Sequence, residues 1–80
     1  MANGIRNWSY RDITRFLKDH NFYLSHQLGG SHEAWVRIEN DKEFVVNVNK
    51  TKSSYPPLTM KTMISQSGID EKEWRKWGSS

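Results

Sequence analysis

The sequence contains no cysteine, which removes disulfides and every thiolate metal site from consideration at once. Its only prolines are the adjacent pair Pro56 and Pro57, so the chain has a single strong interruption. No apolar run approaches the roughly 20 residues of a membrane helix, and Met1 to Asn7 hold nothing like the apolar centre of an export signal. A cytoplasmic protein with no membrane segment is therefore expected. Repeats, low-complexity tracts and linkers are also lacking. Eighty residues provide material for one domain, 1–80, with a core at about 8–69. A chain of this size buries only about 60 to 65 per cent of the surface its unfolded form exposes, and a second core is out of reach.

Aromatic residues, in contrast, run the length of the chain. Trp8, Phe16, Phe22, Tyr23, Trp35, Phe44, Trp74 and Trp77 bring much apolar area per residue, and in the absence of disulfides they must supply the stability. The formal charge of +3 and a pI near 9.4 favour anionic partners, nucleic acid among them, without approaching a polybasic tail.

Ser9 and Asp12 have the spacing of a capping box, with Trp8 before them as a hydrophobic staple. Behind this start, Tyr10, Ile13, Phe16 and Leu17 share one helical face as far as His20 and Asn21. Alternation from Phe22 to Leu28 predicts a strand, with Phe22 and Leu24 on one side and Tyr23, Ser25 and Gln27 on the other. Gly29, Gly30 and Ser31 turn the chain into a second strand, His32 to Ile38. Asn40, Asp41 and Lys42 form a tight turn before a third, Glu43 to Asn49. After the polar stretch Lys50 to Pro57, Thr59 has the character of an N-cap. Met60, Met63 and Ile64 mark a second helix, and Gly68 sits where a left-handed C-cap belongs. Asp70 and Glu73 begin a short third helix carrying Trp74 and Trp77, with Gly78, Ser79 and Ser80 fraying. The fold class is thus α+β: an α-β-β-β-α order, a three-stranded antiparallel sheet covered on one face by two helices, and a short C-terminal helix.

Chemistry has few places to reside. His20, His26 and His32 lack the helical spacing or companion ligands of a zinc site, so no metal and no cofactor is expected. Gly29-Gly30-Ser31-His32 is the most distinctive cluster: glycines allow a ligand close to the backbone and can offer amide groups to a phosphate. Taken alone, the same four residues are more often a plain hairpin turn. Strict alternation puts His32 with Ala34, Val36 and Ile38, and Trp35 with Glu33 and Arg37. Which set faces the helices is left open.

Read together, Gly30-Ser31-His32 and the run Pro57-Leu58-Thr59-Met60-Lys61-Thr62-Met63-Ile64-Ser65-Gln66-Ser67-Gly68-Ile69 give the chain a likeness to a known family. It resembles the HicA toxins across roughly Ser9 to Ile69, in the order and spacing of both motifs. Many relatives place a second histidine directly after the first, where this chain has Glu33. The resemblance implies a fold like the double-stranded RNA-binding domain, ribonuclease activity on messenger RNA, and inhibition by a HicB-like antitoxin. It makes His32 the catalytic residue. Imidazole titrates near neutrality and can take the proton of a ribose 2′-hydroxyl or protonate the leaving 5′-oxygen. One histidine fills only one of these roles, and no second acid or base is evident. Gly30, Ser31, Lys50, Lys52 and Lys61 are the candidates for holding RNA, although for the lysines a merely solvated surface is an equal alternative. A non-catalytic RNA- or protein-binding module of the same fold is the other reading, and a structural partner protein rich in tryptophan a third.

Overall fold

The computed structural model describes residues 7–79. In chain order they form α1 (Tyr10–Asp19), β1 (Tyr23–Leu28), β2 (His32–Glu39), β3 (Lys42–Asn49), α2 (Pro57–Ser67) and α3 (Glu71–Ser79). The strands lie in the order β1-β2-β3, both pairs antiparallel. This is the expected α-β-β-β-α-α succession, an open sheet with helices packed on it.

Local chemistry accounts for most boundaries. Ser9 Oγ accepts from the Asp12 amide at 3.2 Å while Asp12 Oδ2 accepts from the Ser9 amide at 3.0 Å, so both halves of the capping box form. The far end of α1 closes on Asn21, which takes φ +69. The amide of Phe22 reaches Leu17 O at 2.9 Å and that of Asn21 reaches Lys18 O at 3.2 Å, the pairing of a Schellman motif with asparagine in place of glycine. Between β2 and β3, Asn40 (φ +52) and Asp41 (φ +64) are both left-handed, the conformation that lets a two-residue turn follow the twist of a hairpin.

Two expectations need correction. Thr59 does not cap α2: Pro56 is the N-cap and Pro57 stands at the first helical position, with no side-chain cap. Proline suits that position because its missing N–H has no partner there in any helix. Nor does the chain fray at Gly78, which is buried within an α3 that continues to Ser79; Ser80 lies outside the described residues. Asp70 starts this helix as foreseen, its Oδ1 accepting from the Lys72 amide at 3.1 Å.

The core lies between one face of the sheet and the helices. Ile13, Phe16 and Leu17 from α1, Met60, Met63 and Ile64 from α2, and Trp74 from α3 meet Trp35, Val46 and Val48 of the sheet. Aromatic stacking fixes α3 against α1, with Phe16 and Trp74 at 3.9 Å between centroids and Trp8 and Trp77 at 5.2 Å. The indole N–H of Trp77 donates to Asp19 at 2.8 Å.

Gly68 ends α2 with φ +70. A Cβ added there would sit 2.3 Å from the Phe44 ring, so glycine is required both by the backbone and by the packing. Gly68→Ala is expected to lower the unfolding free energy by roughly 2 to 4 kcal/mol, combining the left-handed penalty with overpacking. Urea denaturation measures this, and an unchanged midpoint would contradict it.

Candidate functional site

The register of β2 decides the side on which His32 lies. Trp35 pairs with Val46, Glu33 with Val48 and Arg37 with Phe44, and Trp35, Val46 and Val48 are core residues. Glu33, Trp35 and Arg37 are accordingly buried, at 3, 4 and 9 per cent exposure. Side chains alternate along a strand, so His32, Ala34, Val36 and Ile38 occupy the face away from the helices, where the small Ala34 and Val36 are still buried at 2 and 5 per cent while His32 and Ile38 are exposed. His32 is exposed at the first position of β2.

The turn ahead of it is built to hold that position. Gly29 takes φ +57 and its carbonyl accepts from the His32 amide at 3.1 Å. Gly30 has different surroundings: a Cβ there would meet nothing within 4 Å, so the protein itself makes no use of the missing side chain. The Ser31 carbonyl accepts from the Lys50 amide at 2.9 Å, which brings Lys50 alongside the Gly-Ser-His turn. Exposed Lys52 follows in a loop anchored at Asn49. Asn49 Oδ1 accepts from the amide and hydroxyl of Thr51, at 3.0 and 2.7 Å, and the Asn49 carbonyl accepts from the Tyr55 hydroxyl at 2.6 Å. Gly30, Ser31, His32, Lys50 and Lys52 therefore gather at one end of the sheet. Lys61 does not join them. It lies on α2 and pairs with Glu71 of α3 at 3.6 Å, on the helix layer behind the sheet.

The residue after His32 has a different environment. Glu33 Oε1 accepts from the Tyr10 hydroxyl at 2.8 Å and from the Trp35 indole at 3.1 Å, facing the helices. Burial, reinforced by the hydrogen bond to this carboxylate and by its charge, pushes the Tyr10 hydroxyl up to about 12 from 10.0. Tyr55 is likewise raised to about 12, by burial first and then by Glu33.

The three histidines separate cleanly. His20 stacks on Phe16 at 4.0 Å and its Nδ1 donates to the Phe16 carbonyl at 2.8 Å, a packing role. His26 corrects the sequence reading. Leu24 pairs with Trp35 but His26 pairs with Ala34, so Ser25 is an extra residue and the register shifts between Leu24 and His26. The bulge reverses the alternation beyond it. Gln27, expected beside Tyr23, moves to the side of Glu33, and exposed His26 moves to the open face with Tyr23. Nothing in Leu24-Ser25-His26 marks a bulge, for it contains neither glycine nor proline.

A groove of about 390 Å³ opens between α1 and the start of β1, lined by Tyr10, Thr14, Lys18, Tyr23, Leu24 and Trp35 among others. It sits at the opposite end of β1 from the residue that pairs with His32. Among the described residues no cluster of three or more histidine or carboxylate side chains is poised for a metal ion, and no helix is long and apolar enough to cross a membrane. No protein-family model, curated protein or solved structure matches the chain. The likeness to HicA thus rests on the two motifs quoted above.

Folding raises both phenols, so the stability they contribute is complete below pH 10 and is lost as pH climbs from 10.0 toward about 12. In that interval the unfolded tyrosines ionise while the folded ones stay protonated. Spectrophotometric titration of the phenolate band should find Tyr10 and Tyr55 resistant to ionisation until about pH 12, with Tyr10→Phe removing one such group. Ionisation of both near 10 in the folded protein would contradict the burial described.

Proposed function

We propose that this chain is a HicA-type toxin: an endoribonuclease that cleaves messenger RNA in the cytoplasm without a metal and is restrained by a HicB-like antitoxin. The observation that carries the reading is the exposed imidazole of His32, held at a strand start beside an unencumbered glycine, a serine and Lys50. A ribose-phosphate can approach the backbone at Gly30 because no side chain stands in the way, and Lys50 with Lys52 supplies positive charge where the phosphate lies. His32 then exchanges a proton with the 2′-hydroxyl or the leaving 5′-oxygen. Lys61 stands outside this group, its amino group paired with Glu71 of α3.

A non-catalytic binding module of the same fold is the second reading. It is favoured by Tyr23, Ile38 and Val45, which are exposed on the same face of the sheet. Wild-type protein that binds RNA and never cleaves it would decide for this alternative.

Induced expression is expected to arrest growth, and His32→Ala to relieve the arrest. With purified protein, cleavage should persist in excess chelator and fall by at least ~100-fold in His32→Ala, the usual cost of losing a general acid or base. Undiminished cleavage by His32→Ala would sink the assignment. Lys50 offers an independent check through the salt dependence of RNA affinity. Lys50→Ala should lower the slope of log Kd against log salt by about 1, the value for one lost phosphate contact. Lys61→Ala should leave that slope where it was.

A further inference from the structure

The face that carries His32 carries a second imidazole, and the ribonuclease reading needs one. We infer that His26 and His32 work as an acid-base pair, one taking the proton of the attacking 2′-hydroxyl while the other protonates the leaving 5′-oxygen. This inference rests on the ribonuclease reading and adds to it the partner that reading lacks.

Strand geometry limits where the partner can be. Residues adjacent in a strand point to opposite faces, so position 33 cannot share a substrate with His32, and Glu33 is in fact buried against Tyr10 and Trp35. A partner must come from a neighbouring strand. His26 pairs with Ala34, and Ala34 lies two residues from His32, which makes the histidines diagonal neighbours on one face. Such neighbours stand about 7 to 8 Å apart along the backbone. Imidazoles rooted at that spacing can reach the two ends of an in-line arrangement of oxygens around phosphorus, each through a hydrogen bond of roughly 2.8 Å.

The setting suits a phosphodiester. Ala34, opposite His26 and itself buried at 2 per cent exposure, flanks the diagonal between the two rings with only a methyl group. Around them on this face stand Val36, Asn47 and Asn49, none of which bears a carboxylate that would repel a phosphate. The titratable and charged groups on or beside this face are Tyr23 of β1 and Glu43 of β3, opposite Ile38, both toward the far end of the sheet, and Lys50, beside Ser31. Ser25 Oγ lies 3.1 Å from His26 Nδ1, occupying that nitrogen and leaving Nε2 for substrate. The bulge at Ser25 is what turns His26 to this side; with regular alternation its ring would face the helices. Bulges re-aim side chains in this manner beside active sites.

The step balances without any added reagent. The 2′-oxygen bonds to phosphorus as its proton passes to the neutral imidazole. The P–O5′ bond breaks, and the protonated imidazole gives its proton to the 5′-oxygen. The products are a 2′,3′-cyclic phosphate and a 5′-hydroxyl end, and the two rings, now with exchanged protonation, reset through solvent.

The test uses the full chain with two substrates, an RNA oligonucleotide and a ribonucleoside 3′-nitrophenyl phosphate whose leaving group departs without an acid. Wild type should give cyclic phosphate ends and a bell-shaped pH profile of kcat/KM. His26→Ala and His26→Gln, with circular dichroism matching wild type, should each lose at least ~100-fold on RNA and one limb of the bell. Of the two single-site variants, His26→Ala and His32→Ala, the one lacking the acid should recover on the nitrophenyl ester to within about 10-fold of wild type. His26 variants that cleave RNA within a few-fold of wild type and keep both limbs would overturn the pair while leaving His32 in place. Wild type that produces no cyclic phosphate would overturn the pair and the ribonuclease reading together.

Discussion

Trp35 is buried on one face of the central strand, and the placement of every other side chain on the sheet follows from that contact. Its indole lies beneath the helices, in register with Val46, and the period of two then assigns Glu33 and Arg37 to the same interior and His32, Ala34, Val36 and Ile38 to the open side. A slip of one residue would exchange the two sets, burying the imidazole and exposing the tryptophan. The hydrophobic effect therefore selects the register that presents His32, although His32 contributes nothing to the core.

That selection is possible only because the two charged neighbours of Trp35 find partners. Glu33 accepts from Tyr10 and from Trp35 itself. Arg37 lies over the rings of Phe44 and Phe22, at 4.3 and 5.3 Å, pairs with Glu39, and donates to the Ser67 carbonyl at 3.0 Å. Its Nε is the atom left without a partner among the described residues. Buried polar groups cost free energy unless they are hydrogen-bonded, and here two of the bonds, Tyr10 to Glu33 and Arg37 to Ser67, also join elements. Glu33 ties β2 to α1; Arg37 ties β2 to the end of α2, where Gly68 brings the backbone against Phe44. The C-terminal carbonyl end of α2 is itself a favourable place for a cation.

What could be read in the chain beforehand divides along the same line. Signals confined to a few residues were legible: the Ser9–Asp12 box, the Asn40–Asp41 turn, the Gly68 cap and the strand order all follow from local chemistry. The facing of β2 was not, because hydropathy misleads there. Ala34, Val36 and Ile38 form the more apolar set yet lie on the side away from the helices, where Ala34 and Val36 are buried by their sheet neighbours and Ile38 is exposed, while the set containing glutamate and arginine faces the helices. Trp35 carries enough apolar area to prevail, and its neighbours' polar ends are satisfied by residues far away in sequence. Lys61 stands apart for a similar reason, since only the approach of α3 gives it Glu71 as a partner. The start of α2 was misplaced because a proline helix start competes with a threonine cap and needs no hydrogen bond to win.

The bulge at Ser25, on which the proposed histidine pair depends, has the weakest sequence signal. One extra residue in an edge strand changes neither the fold nor the core, because Leu24 still pairs with Trp35 on the near side of it. Beyond it, however, Gln27 and His26 exchange faces. An edge strand tolerates such an insertion because its outer side has no ladder to disrupt, and the central strand could not. In the proposed pair His32 is held through the Gly29 carbonyl and through Asn49, whose backbone is held by Tyr55. The other member, His26, stands on the bulged edge strand. Placing one imidazole on an over-determined strand and the other on a strand free to bulge sets their separation by backbone geometry, so it does not depend on long, flexible side chains. The acid-base chemistry proposed for the pair depends on that kind of preorganisation.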